Sequence, residues 1–243
     1  MSEKKDGSMK IFPERPEENR ENREKFFTGQ GIEVNRVVSA EIVHKTNVEI
    51  ITAQSVLHNR QSSFIGNNDE NGGDKNYNHR VILGADALVT KEKNLFLSVT
   101  VADCLPVFFY DPVARVIGIA HSGWRGLVDG VLGKTFETLK NCGACEENIF
   151  VAFGPSIQKC HFEIQTDILP QFAKYKKYIF ERDRKTFVDL EGIAKNQLQA
   201  AGIQVTNIET SNICTFCEKE KFFSYRRDQP EKLQAMVAVI GMK

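Results

Sequence analysis

Two apolar runs in the middle of the chain constrain its fold more than any other feature. Leu95-Phe-Leu-Ser-Val-Thr-Val leads through Ala102-Asp-Cys104 into Leu105-Pro-Val-Phe-Phe-Tyr-Asp111, and Val116-Ile-Gly-Ile-Ala120 follows. Runs that are apolar at nearly every position suit strands buried on both faces. A sheet of such strands needs a covering layer on each side. Cys104 follows the first run and His121 the second, and the ends of buried strands are where a rigid scaffold holds exposed side chains. A helix is expected from about Gly126, with Arg125 just ahead of it. The unpaired N–H groups and partial positive charge of that helix start suit an anion. Cysteine, histidine, arginine and a helix start this close in sequence predict a site.

The flanking sequence supplies the covering layers. Leu127, Val128, Val131, Leu132, Phe136 and Leu139 fall at helical spacing, predicting one amphipathic helix from Leu127 to Lys140. Leu190, Ile193, Ala194, Leu198 and Ala201 repeat the pattern, with Gly202 as a stop. A helix starting near Pro16 and stopped by Gly29 and Gly31 is expected at the other end of the chain, and another over 168–180. Val34–Ala40, Val48–Thr52, Val81–Leu83, Ala87–Thr90, Ile149–Phe153, Val205–Ile213 and Ala235–Ile240 read as strands. Residues 1–18 are polar and read as a flexible N-terminus, and residues 19–243 as a single domain. Within it, 58–79 holds few apolar positions and reads as a long mobile loop. This mixed order of strands and helices predicts an α+β or mixed α/β sandwich.

Lys plus Arg and Asp plus Glu both number 32 in this 243-residue chain, so the net charge is zero. That balance favours neither nucleic acid nor an anionic membrane as partner. With no apolar leader and no membrane-length apolar stretch, the expected location is the cytoplasm. The six cysteines are too few for a disulfide scaffold and read as free thiols or ligands.

Cys104, His121 and His44 form a His/Cys/His set, the ligand types of a catalytic zinc site with an open fourth position. Each also has an ordinary structural reading, and sequence distance alone does not bring His44 to the other two. Asp103 and Glu163 are the nearest carboxylates for proton transfer. Two adjacent arginines, Arg226 and Arg227, follow Phe222-Phe-Ser-Tyr225. A guanidinium there suits a phosphate or carboxylate, and the aromatic rings suit a planar base. Cys142-Gly-Ala-Cys145 and Cys214-Thr-Phe-Cys217 lie too far apart for a zinc ribbon. Cys160-His161 reads either as cleft lining or as a turn packed beneath it. His58 and His79 bracket the polar loop and read as surface residues.

With these residues named, the chain resembles the laccase-domain (YfiH-type) family, also called the multicopper polyphenol oxidase or purine nucleoside phosphorylase family. The resemblance lies in Val43-His-Lys-Thr-Asn-Val48, Gly84-Ala-Asp-Ala-Leu-Val89, Thr100-Val-Ala-Asp-Cys-Leu-Pro-Val107 and His121-Ser-Gly-Trp-Arg-Gly126. It continues in Gly154-Pro-Ser-Ile157 with Cys160, and in Cys214-Thr-Phe216 with Phe222-Phe-Ser-Tyr-Arg226. It implies a four-layer α/β/β/α sandwich with mixed sheets, like that of cytotoxic necrotizing factor deamidases. It also implies zinc on the residues matching His44, Cys104 and His121. The implied activity is phosphorolysis of adenosine, inosine and methylthioadenosine, with adenosine deamination beside it. The partners are then small molecules, purine nucleosides and phosphate. Arg125 with the helix start is the first candidate for the phosphate, Arg226 the second, and Asp103 a further substrate contact.

Three departures stand out: Lys45 where the family often has glycine, no Thr-Arg-x-Gly-Gly segment near the N-terminus, and a long 58–79 loop. Two other enzyme classes compete. One is a Cys/His amidohydrolase with Cys104 as nucleophile and His121 as base, a version suited to editing cell-wall precursors. The other is copper-dependent phenol oxidation, for which five histidines are few and no Met-Cys-His copper pattern is present. A metal-stabilised module that binds nucleoside without turnover is the non-enzymatic alternative.

Overall fold

The computed structural model describes residues 1–11, 17–53, 62–65 and 79–243. Numbered along the chain, the strands that precede the central runs are β1 (Val37–Ala40), β2 (Val48–Ile51), β3 (Ser62–Ile65), β4 (His79–Ile82) and β5 (Ala87–Thr90). The runs themselves form β6 (Phe96–Val101), β7 (Leu105–Asp111) and β8 (Val116–Ser122). After them come β9 (Phe150–Phe153), β10 (Glu163–Ile164), β11 (Ile179–Arg182), β12 (Lys185–Val188), β13 (Ile208–Thr210) and β14 (Met236–Gly241). One sheet has the order β14-β6-β1-β4-β3, the second β13-β9-β7-β8-β5-β2, and β10-β12-β11 form a small third.

The two large sheets are mixed, with β1 parallel to both β4 and β6, and antiparallel strands β14 and β3 at the edges. Alternation along each strand splits its side chains between two apolar layers. Val38, Ala40, Leu97, Val99, Leu88, Ile117 and Ile119 fill the space between the sheets. Val116 and Ala120, on the opposite face of β8, join Leu132, Phe136, Leu139, Ile193 and Leu198. The last five come from α3 (Val131–Asn141) and α4 (Leu190–Ala200), which cover the second sheet. Val37, Phe96 and Val237 pack with Phe27 of α1 (Glu17–Gly29) and with Met9 on the outer face of the first sheet. Helix, sheet, sheet and helix are therefore stacked, and the expected mixed α/β sandwich is what the chain forms.

Several segments differ from expectation for local reasons. The first run ends ahead of Cys104 as expected, but Leu105–Asp111 after it is a further strand in the other sheet, the two divided where Asp103 takes a positive φ of 82°. The helix expected over Leu127–Lys140 is broken at Gly130, whose φ of 92° caps the short α2 (Trp124–Asp129) before α3 begins. Arg125 thus lies inside the first turn of α2 and not ahead of it. The segment expected to be helical to Phe180 is a 3-10 stretch over Leu169–Tyr178, with strand from Ile179. The N-terminal residues are also held: the Ser2 N–H donates to Val237 O and the Met9 N–H to Ala235 O, and Met9 is fully buried. Within 58–79, β3 pairs antiparallel with β4, while His58 lies outside the described residues. No helix among the described residues is long and apolar enough to cross a membrane.

Candidate active site

Three times the chain leaves the first sheet at a strand end and enters the second: between β1 and β2, between β4 and β5, and between β6 and β7. Because β1, β4 and β6 are parallel, these crossings share one end of the sandwich. His44 lies on the first, Asp86 on the second and Cys104 on the third. His121 lies near the carboxyl end of β8, paired with Pro106 at the start of β7. Ligand sites favour the carboxyl ends of parallel strands, where loops diverge over a rigid base. Here they surround a cavity of about 580 Å³ that includes His44, Cys104, His121, Arg125 and Arg226 in its wall.

The topology brings together the three residues that sequence alone left apart. Donor atoms of His44, Cys104 and His121 lie within 4.8 Å of one another, and the two imidazole centroids are 4.9 Å apart. His121 is 3 % exposed, and its Nδ1 has no hydrogen-bond partner. Gly123 leaves the space between them open. A Cβ there would stand 3.1 Å from Cys104 Sγ, 3.3 Å from His121 Cε1 and 3.4 Å from His44 Nδ1. Burial, reinforced by Asp103, pushes the Cys104 thiol up to about 12. Burial, with His44 beside it, brings His121 down to about 3. His44 is also lowered, first by desolvation, with Asp86 opposing and Arg125 adding to the shift. Unprotonated imidazoles offer lone pairs, and a thiolate at Cys104 calls for a compensating positive charge. An unpartnered buried nitrogen, an open glycine cradle and a His/Cys/His donor set all fit a divalent metal.

Asp86 builds the geometry and was not singled out by sequence. Its carboxylate accepts the N–H groups of Val43 (3.2 Å) and Lys45 (2.9 Å), on either side of His44. That grip holds His44 at its positive φ of 57°. The Asp86 carbonyl accepts the His121 N–H at 2.8 Å, so one buried residue positions two of the three donors. Lys45, the departure noted above, points its carbonyl at Gly126, where a Cβ would come within 2.7 Å of the oxygen.

Asp103 lines the same cavity, but its oxygens are already engaged. They accept Thr215 Oγ1 at 2.6 Å, Ser224 Oγ at 3.0 Å and the Arg226 N–H at 2.7 Å. It anchors α5 (Tyr225–Asp228) to the third crossing. Arg226 donates from Nη1 to Glu163 O at 2.6 Å while lining the cavity. Arg227 is spent on Thr215 O, Phe216 O, Phe222 O and the Asp228 carboxylate. Arg125 is exposed and stacks over the Trp124 ring at 4.4 Å. The Glu163 carboxylate pairs with Lys185. Glu41, at the end of β1, is a carboxylate of the cavity wall that sequence reasoning missed. Its Oε2 accepts the Gly84 N–H at 3.1 Å.

The two C-x-x-C pairs stay apart. Cys142 caps α3 and Cys145 donates its N–H to Asp111. Cys214 and Cys217 instead meet Cys160 and His161, so that dipeptide forms a cluster of its own, and Phe162 is the residue of that turn that reaches the cavity.

Comparison with known proteins gives a consistent picture. Residues 10–243 match the family described as multi-copper polyphenol oxidoreductase laccase. A protein of Deinococcus radiodurans named purine nucleoside phosphorylase is 38% identical over 159 residues, 65% of this chain and 61% of that protein. One of Haemophilus influenzae with the same name is 41% identical over 162 residues, 64% of each. The chain thus spans under two thirds of the length of these relatives. A prokaryotic protein of unknown organism, named adenosine deaminase RL5, is 33% identical over 150 residues, 59% of this chain and 57% of that protein. The crystal structure of YlmD from Geobacillus stearothermophilus superposes with a TM-score of 0.80 at 25% identity, over 97% of this chain and 84% of that one.

Proposed function

The chain belongs to the multi-copper polyphenol oxidoreductase laccase family, and from that premise we propose that it is a zinc-dependent purine nucleoside enzyme. It cleaves adenosine, inosine and methylthioadenosine with phosphate, releasing the base and the sugar 1-phosphate, and deaminates adenosine as a second activity. The observation that carries this reading is the convergence of His44, Cys104 and His121 around the space left by Gly123. The names of the relatives supply the substrate class.

His44, Cys104 and His121 would hold the zinc, which supplies a Lewis acid able to ionise a water near neutral pH. The remaining residues divide the other tasks. Arg226, fixed through Glu163 O, offers the rest of its guanidinium fork to phosphate, and Arg125 adds a second cation at the rim. Trp124, Ile157, Phe162 and Leu190 give the cavity an apolar wall for a planar base. Phosphorolysis joins a phosphate oxygen to the sugar C1′ as the C–N bond breaks toward the base, and the departing base needs a proton. Glu41 is the acidic side chain of the wall placed to relay that proton from solvent. Asp103, with its oxygens engaged, serves as a positioning residue.

A Cys/His amidohydrolase has less support. Activated cysteines carry lowered pKa values and a basic partner, whereas Cys104 is raised and His121 lowered. Copper chemistry rests on the family's description alone, and two imidazoles with one thiolate are as suited to zinc.

The test is incubation of zinc-loaded protein with adenosine and phosphate, with adenine, hypoxanthine and inosine followed by chromatography. Adenine formation that disappears in Cys104→Ala supports the reading. Inosine alone reduces it to a deaminase. No turnover by zinc-loaded protein overturns it.

A further inference from the structure

Cys160, His161, Cys214 and Cys217 lie outside the reaction just described, yet their side chains converge. We infer that they form a second, structural zinc site that clips two turns of the cavity wall together. A tetrahedral zinc with sulfur at about 2.3 Å and nitrogen at about 2.0–2.1 Å spaces its ligands predictably. Its sulfurs lie roughly 3.8 Å from one another and roughly 3.6 Å from the nitrogen. Cys160 Sγ and Cys217 Sγ are 3.8 Å apart. His161 Nδ1 lies 3.2 Å from Cys160 Sγ, 3.4 Å from Cys217 Sγ and 3.9 Å from Cys214 Sγ. Four of the six edges of a zinc tetrahedron are thus already near these lengths, and the other two are within 4.8 Å. A disulfide, by contrast, needs sulfurs about 2.0 Å apart, and the cysteines are free.

The surroundings are those of ligating groups. The Gln158 N–H donates to Cys214 Sγ at 3.4 Å, a bond that favours a thiolate. The His161 ring stacks on Phe216, with centroids 4.0 Å apart and planes 13° from parallel, which fixes its orientation. Three thiolates and one divalent ion carry a net single negative charge, and Arg182 sits beside them, donating to Cys160 O at 2.9 Å. Each thiol releases its proton to solvent as its sulfur binds. With four protein donors the site has no open position, so its role is structural.

The turn carrying Cys160 and His161 also carries Phe162 of the cavity wall and the Glu163 carbonyl that holds Arg226. The turn carrying Cys214 and Cys217 carries Thr215, which donates to Asp103. The clip therefore sets the position of the proposed phosphate arginine from both sides.

Native mass spectrometry of the full chain dialysed against Zn2+ reads the two sites separately. We expect two zinc ions in the wild type, one in Cys104→Ala, one in Cys160→Ser/Cys217→Ser, and none in the triple variant. Co2+ loaded into Cys104→Ala gives a measurement that needs no substitution in the clip: thiolate-to-cobalt charge-transfer bands are expected. An unchanged zinc count on removing Cys160 and Cys217 overturns the proposal. So does the absence of those bands, or a Cys160–Cys217 disulfide in protein purified under reductant. Failure of the nucleoside reading would instead show as absent turnover and leaves these counts untouched.

Discussion

Gly123→Ala isolates the metal-binding geometry from the stability of the fold. Gly123 has φ −70° and ψ 163°, a conformation open to alanine, so the substitution brings no backbone strain. Restricting the unfolded chain contributes about 0.4–1 kcal/mol of stability, and alanine's poorer helix capping offsets about the same amount. The metal-free fold should thus hold its melting temperature to within a few degrees. The new methyl, however, stands 3.1–3.4 Å from atoms of all three donors. Those separations force each side chain to give by a few tenths of an ångström, and the donors cannot then close on one ion. Disturbing what orients metal ligands typically costs about 10–100-fold in affinity, and we expect a loss in that range. The assay is zinc competition with a chromophoric chelator, in a Cys160→Ser/Cys217→Ser background so that one site is read. A folded Gly123→Ala protein that binds zinc as tightly as the same background with Gly123 intact would refute the convergence of His44, Cys104 and His121 on that space.

Four other outcomes are expected. Asp86→Ala strands the Val43 and Lys45 N–H groups at about 2–4 kcal/mol, lowering the melting temperature by roughly 5–15 °C and weakening zinc binding in parallel, both measurable by calorimetry. Arg226→Ala should raise KM for phosphate at least tenfold while leaving KM for nucleoside within a few-fold, whereas Arg227→Ala should mainly lower thermal stability. Glu41→Gln should lower kcat for phosphorolysis, read as initial rates at saturating nucleoside and phosphate. In metal-free protein, His121 stays neutral down to about 3, while an unfolded histidine takes up a proton near 6.5. The unfolded state binds the extra proton between those values, so stability falls as pH drops through that window, by about 2 kcal/mol at roughly pH 5. Chemical denaturation of wild type against His121→Gln reads that difference, and a flat difference would contradict it.

The legible parts of this fold are those fixed by local pattern. Apolar density announced β6 to β8 as covered strands, and helical spacing announced α3 and α4, because burial repeats with the period of the backbone. What escaped were features set by single dihedral angles and by long-range pairing. Gly130 inside an unbroken apolar stripe gave no composition signal for two helices. The polar stretch holding β3 read as loop because its pairing partner lies in β4 rather than in its own pattern. Cys104, His121 and His44 were legible as residue types but not as neighbours, since only the crossings between sheets bring them together. Asp86 was hidden for the same reason: it sits in an apolar run and acts through backbone N–H groups on another segment. The Cys160-His161 and Cys214–Cys217 cluster spans two distant turns, which no ribbon-like spacing reveals.

Asp103 shows how the two clusters depend on one residue. A non-glycine at φ 82° costs of order 1–3 kcal/mol unless its surroundings hold it. Three donors on its carboxylate do so, and its carbonyl accepts the Ile157 N–H at 2.9 Å as well. That unusual turn is what lets the chain leave β6 for the other sheet and present the next side chain, Cys104, toward His121. Of those four contacts, the Ile157 N–H leads into the turn carrying Cys160 and the Thr215 hydroxyl sits beside Cys214. The other two come from the segment bearing Arg226. A group that clamps the 160 and 214 turns therefore acts on Cys104 and Arg226 through Asp103, without touching substrate. Loss of the clip should accordingly raise KM for phosphate and weaken zinc at the first site together, a coupling that two independent sites would not produce.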